Sequence, residues 1–311
     1  MTKILLLLIP IVLVCCLGCP FFKDKDKNFA SDRGREKLSK ENQAAVRERS
    51  QKVKAELATL DGHPWAGTYH IIIPLGEHCT LDVAPDAGYA YTCFSSDQAD
   101  ENGNLLIDQN YGSVTWENDH LKFSHTLESD GDDFASSTEF IPIAWEKRLY
   151  LVPANKIMDF CNAFNARHPL LYAFLLRNDF KTKPDTGVPD VPEEFKPYLL
   201  DDPVEGEITA VGETREFRKI SAQVKETPIT INKGSQDGIL TGMTFWVAKP
   251  DKIFYPVTLT EVAETESVGI IEQPIAETTP QVGWSVATVY NGSKIVLSPE
   301  NAVSNDQPDK N

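Results

Sequence analysis

Beyond residue 22 the chain has no apolar run long enough to cross a bilayer, where a helix needs about 20 such residues. Basic residues are scarce. Lys and Arg number 30 against 46 Asp and Glu, for a net charge of −16. The imbalance is sharpest over residues 61–176, which hold 17 acids and 5 bases. This argues against a nucleic-acid partner, because phosphate binding needs clustered Lys and Arg. The six histidines are His63, His70, His78, His120, His125 and His168. No two have the helical spacing of a zinc protease. His120 and His125 fall five apart in an expected strand, so they point to opposite faces. No Gly-x-Ser-x-Gly occurs, so a nucleophile elbow is missing. Ser129-Asp130-Gly131-Asp132-Asp133 is acidic but lacks the alternating ligands and closing Glu of an EF-hand. It reads as a solvated hairpin loop. Glu139 and Glu146 could be paired for glycoside cleavage, but among 46 acids some such pair always exists. The expectation is a protein that is not an enzyme and takes no cofactor.

Cysteine is also rare after residue 19, where only Cys79, Cys93 and Cys161 remain. Cys79 and Cys93 flank two strand-like runs joined at Pro85-Asp86-Ala87-Gly88. Their spacing puts both near the far end of a hairpin. They are either a cross-strand disulfide or two small buried residues in a sheet. Cys161 lies in an apolar helical pattern and reads as a buried structural thiol.

The first residues are organised differently. Met1-Thr2-Lys3 precedes an apolar stretch from Ile4 to Gly18, and Gly18 stands directly before Cys19. A short basic start, an apolar run and small residues near a cut site read as an export signal. An uncleaved anchor and a plain cleaved signal are the alternatives. Cys16-Leu17-Gly18-Cys19 resembles the lipobox of bacterial lipoprotein precursors, departing from it at Cys16 and Leu17. The resemblance implies a signal peptide over 1–18 and a lipid on Cys19. It also implies anchoring in the cell envelope, at the outer membrane or surface, since Pro20 is not the aspartate that retains lipoproteins at the inner membrane. Removing residues 1–18 leaves 293 residues and moves the net charge to −17. Lys23-Asp24-Lys25-Asp26-Lys27 makes residues 19–29 a charged tether.

Residues 30–60 carry a net charge of +3 and an apolar residue at roughly helical spacing, which predicts a spacer helix. Beside a lipid anchor its charge could face anionic head groups. The plainer reading is a solvated helix packing one thin stripe on the next domain. Residues 61–176 alternate short β-rich runs with turn signals, then carry a helical pattern over 155–165. An antiparallel sandwich or barrel with one packed helix is expected. Pro184, Pro189, Pro192, Pro197 and Pro203 mark residues 177–203 as a linker, with Phe195 and Tyr198 suited to docking. Residues 204–290 form a second β module, and 291–311 a polar tail expected to be disordered. The fold class is therefore mainly β, in two modules.

The most specific pattern lies in the second module. Ile229-Thr230-Ile231 leads into Asn232-Lys233-Gly234-Ser235-Gln236-Asp237-Gly238, and Gly242 precedes a new strand from Met243 to Val247. Glycines at these points allow the chain to fold back tightly, and Asp237-Gly238 is a turn pair. A P-loop is excluded, because Lys233 precedes the glycines and a strand follows them. The segment resembles the small β-barrel of MreC-type rod-shape proteins and of some flagellar or pilus assembly factors. Val268-Gly269-Ile270-Ile271 and Pro280-Gln281-Val282-Gly283-Trp284 agree with it, although Trp284 replaces a common aspartate. The likeness implies an assembly or interaction module and an envelope-protein partner, with Gly234, Ser235, Asp237, Gly238 and Gly242 in a structural role. A small ligand or glycan in the first module is the competing expectation, because Trp65, Tyr69, Tyr89, Tyr91, Trp116 and Trp145 are either its core or a stacking surface. A hydrolase of the envelope is the third.

Overall fold

The computed structural model describes residues 39–73, 77–95, 105–128, 137–167, 174–177, 187–219, 222–248 and 254–290. The expected export signal, Cys19, the expected tether, the 129–133 segment and residues 291–311 lie outside the described residues. Among the described residues no helix is long and apolar enough to cross a membrane.

The first module is a closed eight-stranded antiparallel barrel. Its strands are β1 (Gly67–Ile73), β2 (Glu77–Ala84), β3 (Gly88–Ser95), β4 (Leu105–Glu117), β5 (His120–His125), β6 (Glu139–Trp145), β7 (Arg148–Pro153) and β8 (Leu175–Arg177). Each pairs with the next in sequence, and β8 closes on β1 through Tyr69↔Arg177 and His70↔Leu176. Alternation along each strand sends Tyr69, Ile71, Leu81, Val83, Tyr89, Tyr91, Val114, Leu121, Phe123 and Leu151 inward as one core.

Two helices cover the barrel from outside. Helix α1 (Lys40–Leu57) starts where the Ser39 side chain accepts from the Asn42 amide, an N-cap that satisfies one of the free donors of the first turn. Its only fully buried residues are Val46 and Val53, two turns apart. Leu57 packs on the same core at the helix end, and the contact also has a polar part. Buried Asp82 accepts from Ser50 (2.8 Å) and Thr68 (2.7 Å) and meets Lys54 at 3.3 Å. Arg49 donates to the Ala87 carbonyl, while the Glu56 carboxylate accepts from the Asp86 and Ala87 amides. Two of the basic residues of this helix are thus engaged with the acidic barrel.

Helix α2 (Ile157–Asn165) lies over β6 and β7. This explains why all six residues of β7 are buried. Leu149 and Leu151 belong to the barrel interior, whereas Tyr150 and Val152 join Ile141, Ile143 and Trp145 under Ile157, Phe160, Cys161 and Phe164. Edge-to-face rings fill this layer: Trp145 with Phe164, Tyr150 with Phe160, and Phe160 with Phe174.

The second module closes six strands into a ring. In order around it they are β11 (Ala222–Ile231), β14 (Ser267–Pro274), β13 (Phe254–Val262), β12 (Thr244–Ala248), β15 (Ser285–Ala287) and β9 (Glu205–Val211), which returns to β11. A seventh strand, β10 (Arg215–Lys219), pairs with the first half of β11 and extends the sheet beyond the ring. Ile208, Ile229, Ile231, Ile239, Met243, Phe245, Val257, Leu259 and Ile271 make its core.

The described part of the proline-rich stretch, 187–203, forms a strap packed against both modules. Asp190 bridges to Ala144 on β6, and Val191 is buried beside α2. A 3-10 turn over Glu193–Tyr198 follows, since Pro192 and Pro197 leave no room for a longer helix. Tyr198 touches both hydrophobic cores, and Leu200 packs on the second.

Candidate functional site

Four places could carry function: the first barrel's interior, its cysteines, the glycine turn, and the joint between modules. Among the described residues the interior is closely packed. Leu81, Tyr89, Tyr91, Asn110, Phe123, His125, Ser137 and Phe140 surround a cavity of about 10 Å³, which is room for about one water. Gly112 organises this region. It stands on β4 between Tyr89 on β3 and His125 on β5. Having no side chain, it lets the Tyr89 hydroxyl reach His125 Nδ1 across the strand. His125 Nε2 meets the Ser137 carbonyl at 3.0 Å. A carbonyl can only accept, so Nε2 carries the proton and Nδ1 accepts from Tyr89. Burial first, and Asp108 second, push the Tyr89 hydroxyl well above the ordinary phenol range, so it stays a donor. Asn110, fully buried, accepts from the Leu127 amide and donates to its carbonyl, tying down the chain after β5. The polar atoms of Tyr89, His125 and Asn110 are therefore engaged by the barrel itself.

The aromatic residues follow the same rule. Trp65, Tyr69, Tyr89, Tyr91 and Trp145 are core residues. Trp116 is 45% exposed and stacks on Trp65, with ring planes 8° apart.

Cys79 and Cys93 are direct partners across β2 and β3 and form a disulfide in the barrel wall. Cys161 is fully buried on α2, and burial pushes its thiol up to about 12. A thiolate is the reactive form. In the folded protein at pH 8, iodoacetamide is expected to leave Cys161 unmodified, with alkylation by mass spectrometry appearing only in denaturant. Rapid native alkylation would contradict its buried position.

The glycine turn is built to hold itself. After β11 the chain makes a 3-10 turn at Ser235–Asp237. Asp237 accepts from Lys233 Nζ (2.9 Å) and from the Gly234 amide (3.1 Å), and these two bonds hold its carboxyl below the usual range. Gly234 is needed for close approach, since a Cβ there would sit 2.5 Å from the Ala263 carbonyl oxygen. Gly238 and Gly242 take left-handed φ of 77° and 89°. Gly242 also lies against Met158 of α2. Every side chain of the motif that bonds does so within the module, apart from this contact.

That contact opens the joint. Asn162 Nδ2 donates to the Gly242 carbonyl at 2.9 Å, and its Oδ1 accepts from the Thr244 amide at 3.0 Å. One turn on, Asn165 Nδ2 donates to the Tyr198 carbonyl and its Oδ1 accepts from the Leu200 amide. The Tyr290 amide donates to the Ala166 carbonyl. Arg167 reaches the Leu200 and Asp201 carbonyls. One helix of the first module thus satisfies backbone groups of the strap and of the second barrel. Asn162 and Asn165 escaped the sequence reading. Their only trace is two amides at i and i+3 within a helix whose one other polar residue is Asp159.

The remaining candidates do not converge. Glu139 pairs with His120 at 2.7 Å, whereas Glu146 lies at the other end of β6, roughly 20 Å away along the strand. Among the described residues no group of three His, Cys, Asp or Glu side chains could hold a metal ion. No protein-family model matches the chain, and neither curated proteins nor solved structures give a significant match.

Proposed function

We propose that this chain is a lipid-anchored protein of the bacterial envelope, acting as a non-enzymatic binding or scaffolding module. The observation that carries the reading is the joint: two barrels share one helix whose amide side chains complete the backbone bonding of both the strap and the second module. Such a body presents surfaces at fixed separation, which suits a scaffold. The close packing of the first barrel among the described residues supports the same choice over a ligand carrier, since a small-molecule site normally needs about 300 Å³ or more. The anchor rests on the Gly18-Cys19 pair and its apolar leader.

Metabolic labelling with a fatty-acid analogue tests the anchor. The native chain is expected to incorporate label and Cys19→Ala to lose it entirely. Labelling that persists in Cys19→Ala would remove this site. Crosslinking in intact envelopes tests the scaffold role. A reproducible covalent product with another polypeptide is expected, and recovery of monomer alone would count against it.

A further inference from the structure

The geometry points to β10 as a docking edge for a second copy of this chain, joined through antiparallel pairing centred on Phe217. Strand β10 reads Arg215-Glu216-Phe217-Arg218-Lys219. Among the described residues it has one neighbour, β11, and its other edge faces away from the ring. Arg215, Glu216, Arg218 and Lys219 are exposed, and Phe217 is half-buried. An open edge is a template for another strand. Charged residues on an edge usually discourage pairing, but the signs here select one partner.

The selection follows from symmetry. Identical copies associate most often about a two-fold axis. With that axis perpendicular to the sheet, each side chain keeps its face, so the axis must pass through a residue rather than between two. An axis at Glu216 sets two glutamates against each other, and one at Arg218 sets two arginines against each other. The axis at Phe217 places Phe217 opposite Phe217 and Glu216 opposite Arg218 twice. Opposite charges in direct cross-strand pairs stabilise a sheet, and like charges destabilise it. The remaining pair, Arg215 with Lys219, is like-charged. Both already face acids of their own copy: Lys219 bonds both oxygens of Glu272 at 2.9 Å, and Arg215 stands opposite Glu226 on β11. No ion pair or hydrogen bond to another described residue engages Glu216 or Arg218. The two charges that pair with no described residue of their own copy are the two that a reversed copy complements. The contact requires no acyl chain, so it stands apart from the assignment of Cys19.

Thiol crosslinking of the full chain tests this. Phe217→Cys is expected to give a covalent homodimer under mild oxidation, while the native chain and Val282→Cys, exposed on the same barrel, stay monomeric. Adding Glu216→Arg to Phe217→Cys sets arginine against Arg218 and should lower dimer yield at least tenfold. Adding Arg218→Glu as well restores opposite charges and should restore the yield. Equal crosslinking at positions 217 and 282 would overturn the inference. So would a Phe217→Cys adduct with a different protein, indifference to Glu216→Arg, or failure of the double charge swap to rescue. Because the swap differs from the single variant only by a second change, loss of folding cannot mimic rescue.

Discussion

Gly112→Ala is expected to destabilise the first barrel by about 3 kcal/mol, the upper range for overpacking a close-packed interior. An added Cβ would stand 1.8 Å from the Ser124 carbonyl oxygen and 3.1 Å from Tyr89 Cε1. The first contact is with backbone, so β4 and β5 must separate. The second drives Tyr89 off His125 and takes away the bond that reaches across the strand. For a body of this size the midpoint of thermal unfolding should fall by roughly 10 °C. Gly283→Ala is the matched control. Gly283 has a φ of 85° with nothing within 4 Å of an added Cβ, so only left-handed strain of about 1 kcal/mol is expected there. If the two variants melted together, the close packing over Gly112 would be wrong.

Removing the asparagines of α2 should have an effect of a different kind. Asn162→Ala leaves the Gly242 carbonyl and the Thr244 amide without their partner, and Asn165→Ala does the same to Tyr198 and Leu200. Each loss is expected to weaken the joint by about 2 kcal/mol, the desolvation penalty of stranded backbone groups. The two sites share one helix turn, so their effects should not simply add. The native chain should unfold in a single calorimetric transition, and Asn162→Ala/Asn165→Ala should resolve into two, one for each barrel. Asn162→Asp should not rescue, since it keeps the acceptor for Thr244 but turns a carboxylate toward the Gly242 carbonyl. A double variant that still melted in one transition would place the coupling elsewhere.

Much of the fold was legible in the residues. Alternation exposed β1, β2, β3 and β7. The Asp237-Gly238 pair announced the turn between β11 and β12, and the 3.6-residue period of Ile157, Phe160, Cys161 and Phe164 exposed α2. Barrel closure was not legible, because it depends on β8, three residues whose pairing involves strands far away in sequence. Nor was the first half of β4. Asp108-Gln109-Asn110 reads as turn chemistry, yet all three are buried in a strand, where Asn110 bonds the backbone at Leu127. Propensity gave way to a tertiary hydrogen bond. The joint was hidden for a related reason. An asparagine that caps another module's backbone looks, in one dimension, like any polar residue on a helix.

The most direct test of the rigid two-barrel body is a spin–spin distance measurement. Nitroxide labels would be placed at Ser113→Cys on the first barrel and Thr258→Cys on the second, both exposed sites, with Cys161 protected by burial. One narrow distance distribution is expected in the native chain, broadening in Asn162→Ala/Asn165→Ala. A broad distribution in the native chain would contradict the shared body and the scaffold reading built on it.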